Sequence, residues 1–70
     1  IGDAMLYDEL IDTHNDAILN YSLTQVQQDE EAAIWLTILA FEKLWLQMEA
    51  NNLPADIPTW LRHEVDDLLR

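Results

Sequence analysis

The sequence predicts an all-α protein: a three-helix antiparallel bundle with a long central apolar helix, completed by dimerisation. One glycine and two prolines stand among 70 residues, and the many Ala, Leu, Glu, Gln and Met residues favour helix over sheet. Apolar residues make up 50% of the chain, which argues against disorder. A chain of this length has a marginal core, and without cysteines oligomerisation is the expected additional source of stability.

The first helix is predicted over residues 4–20. Its apolar positions recur at three-and-four spacing in two neighbouring stripes, one with Leu6, Leu10, Ala17 and Tyr21 and one with Tyr7, Ile11, His14 and Ile18. Asp3 is expected to cap the first turn. Residues 12–16 are poor helix formers, so a kink or a break at this position stays an open alternative. The apolar register continues through them, however, and favours one helix.

The second helix is predicted over residues 23–51. Ser22 and Gln25 fit a capping box at its start. Its end is expected near Asn51, because asparagine tolerates a left-handed cap and Pro54 prevents continuation of the helix.

The third helix is predicted over residues 57–69, with Asp56 as its cap and Pro58 in its first turn. Its mostly apolar face consists of Trp60, Leu61, Glu64, Val65, Leu68 and Leu69. The whole chain, residues 1–70, is expected to form a single helical domain.

The predicted central helix is apolar on two sides. A stripe at 4-3-4-3 spacing contains Ile34, Ile38, Phe41, Trp45 and Met48, and a roughly opposite stripe contains Leu36, Ala40 and Leu44. One stripe can pack in the core, but leaving five large side chains in water would forgo roughly 1.5–3 kcal/mol each. We therefore predict a homodimer. Which stripe faces outwards stays open, and the candidate interaction residues are Ile34, Trp35, Ile38, Phe41, Trp45 and Met48.

We predict different environments for the three tryptophans, two in the core and one at an interface. Trp45 and Trp60 are expected to pack together in the core, where the third helix folds back over the end of the second. Trp35 lies on a half-polar stripe with Leu39, Glu42, Leu46 and Glu49. It is therefore expected at the rim of an interface.

The charge of the chain is strongly negative. Fourteen Asp and Glu residues against three Lys and Arg residues give a formal net charge of −11. Such a surface repels nucleic acid and anionic membranes, so neither is an expected partner. It attracts basic surfaces, which makes a basic protein the second expected partner. Acidic charge that only maintains solubility and a halophilic source stay open as alternatives to an acidic binding face.

The chain offers little catalytic chemistry. It has no cysteine, its single serine Ser22 is expected to be a cap, and its single glycine Gly2 cannot form a phosphate-binding loop. His63 has Asp66 and Asp67 three and four residues away, which favours a local ion pair. We therefore expect no enzyme, no metal and no cofactor.

Residues 11–16 read Ile-Asp-Thr-His-Asn-Asp. This segment resembles the Asp-x-His-x-Asp element that opens metal-dependent dipeptidases of the amidohydrolase type, in which the histidine and the second aspartate bind zinc at the end of a barrel strand. The resemblance implies zinc ligands at His14 and Asp16. It covers six residues, the family's barrel requires a much longer chain, and only His63 could supply another histidine. A metal-assisted hydrolase that uses Asp12, His14 and Asp16 across a dimer axis is one alternative.

The predicted function is that of a small acidic, non-enzymatic protein-interaction module, such as an inhibitor, antitoxin, immunity-type protein or adaptor. Because Ile1 is an unusual first residue, a dimerisation or docking domain of a longer chain is the other alternative. No basic region leads into an apolar run, and Glu42 and Lys43 interrupt the central apolar run before the ~20 residues of a membrane span. A cytoplasmic location is therefore expected.

Overall fold

The computed structural model describes residues 4–70, which form three α-helices and no β-strand. Helix α1 spans Ala4–Gln25, α2 spans Glu30–Glu49 and α3 spans Ile57–Leu68. The predicted all-α class and the number of helices are confirmed. The predicted cap Asp3 lies outside the described residues.

The junction between α1 and α2 differs from the prediction. α1 continues through residues 12–16 without a break and ends at Gln25 rather than at residue 20, and α2 begins at Glu30 rather than at residue 23. Ser22 is a fully buried residue inside α1. A cap has to lie at the start of its helix, so the predicted capping box at Ser22 is wrong.

The turn that ends α1 uses residues that rarely adopt its conformation. Gln27 and Gln28 have φ values of 52° and 67°, in the left-handed region. The N–H of Gln28 donates a hydrogen bond to the carbonyl of Leu23 at 2.9 Å, which satisfies one carbonyl of the last helical turn. Glycine is the usual residue in this conformation. With glutamine in its place, the sequence carries no recognisable stop signal.

Helix α2 has clear signals at both ends. The Asp29 carboxylate accepts a hydrogen bond from the N–H of Ala32 at 3.2 Å and caps its start. At its other end, Asn51 has a φ of 56°, and the N–H of Asn52 donates to the carbonyl of Gln47 at 2.9 Å. The left-handed asparagine expected from the sequence is therefore present, although α2 ends at residue 49 rather than 51.

Helix α3 begins where its local sequence predicts. The Asp56 carboxylate accepts hydrogen bonds from the Thr59 hydroxyl at 2.8 Å and from the Thr59 N–H at 3.3 Å. These hydrogen bonds to the ionised form hold the pKa of Asp56 below its usual value. The helix ends at Leu68, one residue before the predicted end.

One hydrophobic core receives side chains from all three helices. Its buried residues are Ile18, Leu36, Ala40, Phe41, Leu44, Leu61 and Val65. Of the two apolar stripes expected on the central helix, the one formed by Leu36, Ala40 and Leu44 therefore faces the chain's own core. Within residues 4–70, none of the three helices combines the length and the hydropathy that a membrane span requires.

The buried hydroxyl of Ser22 has no hydrogen-bond partner among the described residues. An unsatisfied buried group of this kind costs about 1–3 kcal/mol, and alanine is a better helix former than serine. We therefore expect Ser22→Ala to raise the free energy of unfolding, measured by urea denaturation, by about 1 kcal/mol.

Thr37 provides the matched control for Ser22. Its hydroxyl is also buried, but it donates a hydrogen bond to the carbonyl of Ala33 at 2.8 Å. Thr37→Ala should therefore lower the free energy of unfolding. An unchanged or reduced stability of Ser22→Ala would contradict the assignment of an unsatisfied hydroxyl.

Candidate protein-interaction surface

The side of α2 that faces away from the core carries four large, exposed apolar side chains that are neighbours on the helix surface. The exposed fractions are 49% for Ile34, 58% for Trp35, 49% for Ile38 and 37% for Leu39. Residues four apart are neighbours on a helix surface, so the pairs 34/38 and 35/39 lie side by side. These four residues are called the apolar patch below.

The structure separates the six predicted interaction residues. Ile34, Trp35 and Ile38 belong to the apolar patch, whereas Phe41 and Met48 are buried, with exposed fractions of 4% and 5%. An α-helix drifts by ~20° per heptad relative to a strict seven-residue repeat. The predicted 4-3-4-3 stripe therefore turns from solvent towards the core between its first and last members.

Leu39 belongs to the apolar patch but was not among the predicted interaction residues. The sequence places it on the half-polar stripe of Trp35, which is the signal that could have identified it. Leu46 lies further along the same stripe and is 57% exposed. This stripe therefore contributes to the exposed apolar surface in addition to the predicted one.

Trp45 lies at the border between the core and the apolar patch. Its ring packs edge-on against that of Tyr7, with centroids 4.9 Å apart and an interplanar angle of 64°. The Tyr7 hydroxyl donates a hydrogen bond to the carbonyl of Phe41 at 2.8 Å. Burial raises the pKa of Tyr7, and the negative charges of Glu42 and Asp8 raise it further. Tyr7 thus holds α1 against α2 and restrains Trp45.

A groove between α1 and α2 extends the apolar patch. It is lined by Leu19, Leu23, Glu30 and Ile34 and has a volume of about 210 Å³. Ile34 belongs both to this α1–α2 groove and to the apolar patch. Since Leu19 and Leu23 are only partly buried, apolar side chains of two helices form one continuous surface.

Carboxylates bracket the apolar patch along α2. Glu31 precedes Ile34 by three residues, and Glu42 follows Ile38 by four, so an exposed carboxylate lies next to the patch at each end. A third carboxylate, Glu30, lines the α1–α2 groove. Lys43, four residues after Leu39, is also exposed and lies beside the same end of the patch. Three carboxylates against this one cation make the electrostatic environment of the exposed apolar surface negative.

The two helices that form this surface carry many carboxylates and little positive charge. α1 and α2 contain four Asp or Glu residues each and a single cation, Lys43. The other two cations, Arg62 and Arg70, lie in α3 and directly after it. Eight of the fourteen Asp and Glu residues of the chain are thus on the helices that carry the exposed apolar side chains.

The structure brings no metal-binding cluster together. In residues 4–70, no three His, Asp or Glu side chains are placed to hold a metal ion. His14 lies two residues from Asp12 and from Asp16 on the continuous helix α1, and residues two apart on a helix do not face each other. The segment that resembles the dipeptidase element is therefore not assembled as a site within this chain.

The end of α3 forms a shallow polar pocket. His63, Asp66, Asp67 and Arg70 line it, and its volume is about 260 Å³. The Arg70 Nε atom lies 3.6 Å from a carboxylate oxygen of Asp67. The local ion pair of this segment therefore involves Arg70, and not the His63 imidazole for which the sequence suggested it.

A hydrogen bond joins α1 to this end of α3. The Tyr21 hydroxyl donates to the Asp66 carboxylate at 2.6 Å. The pKa of Tyr21 is raised, mainly by this hydrogen bond and to a smaller extent by burial. The Tyr21–Asp66 hydrogen bond therefore joins α1 to α3, whereas the exposed Asp67–Arg70 pair is local to the end of α3.

Comparison of the chain with protein-family models, with curated proteins and with solved structures finds no match. The resemblance to dipeptidases therefore consists of residues 11–16 alone. These residues lie inside α1, whereas in that family the element stands at the end of a barrel strand.

Proposed function

We propose that this protein is a small, acidic, non-enzymatic protein-interaction module that binds another protein through the apolar patch on α2. The observation that supports the proposal is the exposure of Ile34, Trp35, Ile38 and Leu39 side by side on one helix. Fully burying a large apolar side chain stabilises by about 1.5–3 kcal/mol. Exposed apolar patches bordered by polar residues are typical of protein-interaction sites.

The antiparallel arrangement of α1 and α2 is part of this proposal. Contacts at both ends support it: Tyr7, near the start of α1, touches Trp45, late in α2. Leu23, near the end of α1, lines the α1–α2 groove with Ile34, early in α2. A single elongated partner segment can then cover the groove and the apolar patch together.

Homodimerisation through the apolar patch is the second candidate. It would bury the same face on both copies, as two-fold symmetry requires, and it would add the stability that a chain of this size needs. Glu31 and Glu42 of each copy would then approach the other copy's carboxylates. Self-association through this face should therefore strengthen as salt screens the repulsion. The same face would also be the contact surface if the chain were a docking domain of a longer protein.

Substitution of the patch should abolish capture of the partner. We expect immobilised wild-type protein to retain a partner from extracts of its native cells, and Ile38→Glu to lose it, because a charge in the middle of an apolar interface is left unpaired. Quantitative mass spectrometry of the retained proteins measures this.

Leu69→Glu is the control for this capture experiment. Leu69 is also exposed, at 44%, but it lies directly after α3, so retention should equal that of the wild type. Circular dichroism should give both variants wild-type helix content, because exposed positions affect folding little. If Ile38→Glu retained the same proteins in the same amounts, the apolar patch would not be the binding surface.

A further inference from the structure

We propose that the partner segment is a basic amphipathic helix of another protein, seated along the α1–α2 groove and the apolar patch. The inference rests on the proposed function and adds the chemistry of the partner to it. A two-helix groove continuous with an apolar helix face is the geometry in which an amphipathic helix buries its apolar side. Such a helix presents anchors at positions i, i+3 or i+4, and i+7.

The length of the exposed apolar surface fits a helix of a few turns. Along α2 the apolar residues run from Ile34 to Leu46, a separation of about 18 Å at 1.5 Å per residue. Leu19 and Leu23 on α1 widen the surface at the Ile34 end through the groove. A partner helix of about 18 residues, roughly 27 Å long, therefore covers the surface and places its flanks over the surrounding carboxylates.

The charges beside this surface select a cationic partner. Glu31 and Glu42 bracket the apolar patch, and Glu30 lines the groove. Across the whole of α1 and α2, Lys43 is the only cation available to oppose them. Lys or Arg residues on the flanks of a partner helix would meet these carboxylates, whereas acidic flanks would be repelled.

The same charges disfavour the other macromolecules that could cover an apolar face. A second copy of the chain brings its own Glu31 and Glu42 to the interface, so like charges approach each other. An anionic membrane surface is repelled by a net charge of −11. A basic helix is the occupant that satisfies both the apolar side chains and the carboxylates.

The test uses fluorescently labelled model helices of about 18 residues built only from leucine and lysine. In the first peptide, leucines recur at three-and-four spacing. A second peptide has the same composition in scrambled order, and a third has glutamate in place of every lysine. We expect fluorescence anisotropy to show at least about tenfold tighter binding of the first peptide than of the scrambled one, which corresponds to about 1.4 kcal/mol. The glutamate peptide should not bind.

Variants of the protein assign this binding to the surface. Ile38→Glu should weaken binding of the amphipathic peptide at least about tenfold, and Trp35→Gln provides a second, uncharged change on the same patch. The double variant Glu31→Gln/Glu42→Gln should weaken binding at low salt, and its difference from the wild type should shrink as salt rises.

A second double variant, Glu9→Gln/Asp67→Asn, changes the net charge by the same amount. Glu9 and Asp67 are exposed, and neither lines the α1–α2 groove nor lies within four residues of the apolar patch. Its affinity for the amphipathic peptide should stay within about twofold of the wild-type value. An equal loss in both double variants would mean that net charge alone drives binding, which would overturn the inference.

Three further results would overturn the inference. The scrambled peptide could bind as tightly as the amphipathic one, the patch variants could retain wild-type affinity, or the amphipathic peptide could fail to bind. If it failed to bind while the capture experiment still gave an Ile38-dependent partner, the interaction function would stand and the basic helix would be wrong. If binding failed because the chain was a stable dimer, the occupant would be a second copy.

Discussion

Leu44→Ala is expected to lower the free energy of unfolding by about 3 kcal/mol. Leu44 is completely buried in the core between the three helices, so the substitution removes buried methyl groups and leaves a cavity. A core of this size rarely supplies more than ~3–5 kcal/mol in total. At most about 2 kcal/mol would then remain, so urea denaturation followed by circular dichroism should show a transition at much lower urea concentration than in the wild type.

Leu46→Ala is the matched control for Leu44→Ala. It makes the same chemical change two residues further along α2, but Leu46 is 57% exposed. The free energy of unfolding should change by less than about 0.5 kcal/mol. Equal losses at the two positions would mean that both sides of α2 are covered within the folded chain, contrary to the exposed stripe described above.

Tyr7→Ala is expected to lower the free energy of unfolding by about 2–3 kcal/mol. The substitution removes the edge-on ring contact with Trp45 and the hydrogen bond to the Phe41 carbonyl. Tyr7→Phe keeps the ring and loses only the hydrogen bond, so it should cost about 1 kcal/mol. If Tyr7→Phe cost as much as Tyr7→Ala, the ring contact would not contribute to holding α1 on α2.

The raised pKa of Tyr7 gives the same contact a pH dependence. Because the phenol's pKa is higher in the folded than in the unfolded chain, its contribution is complete below pH ~10 and is lost as the pH rises through the folded value. Wild-type stability should therefore fall in alkaline solution. Tyr7→Phe should make this fall smaller, and the remaining part should come from Tyr21, whose pKa is also raised.

The start of α3 could be predicted from sequence because its determinants are local. Asp56 and Pro58 suffice to define a cap and a first turn, and the Asp56 carboxylate accepts hydrogen bonds from Thr59. The end of α1 could not be predicted in the same way. Ser22 and Gln25 fit the pattern of a capping box, but Tyr21 and Val26 pack against the core, a tertiary effect that a local sequence pattern does not show.

The candidate interaction surface could be predicted only in part, for a related reason. The sequence shows that α2 is apolar on two sides, but which side faces solvent depends on how α1 and α3 pack. Ile34 and Ile38 face outwards, whereas Phe41 and Met48 of the same predicted stripe are buried. The α1–α2 groove joins Leu19 and Leu23 to Ile34, residues that are too far apart in sequence for a helical pattern to connect them.

The central claim is that the exposed face of α2 binds a different protein and not a second copy of this chain. The molar mass of the purified chain, measured by light scattering behind a sizing column at low and high salt, tests it most directly. We predict a monomer of 8.2 kDa at low salt, because Glu31 and Glu42 oppose pairing of two such faces. A dimer that persists at every salt concentration, and that Ile38→Glu converts to a monomer, would contradict the claim.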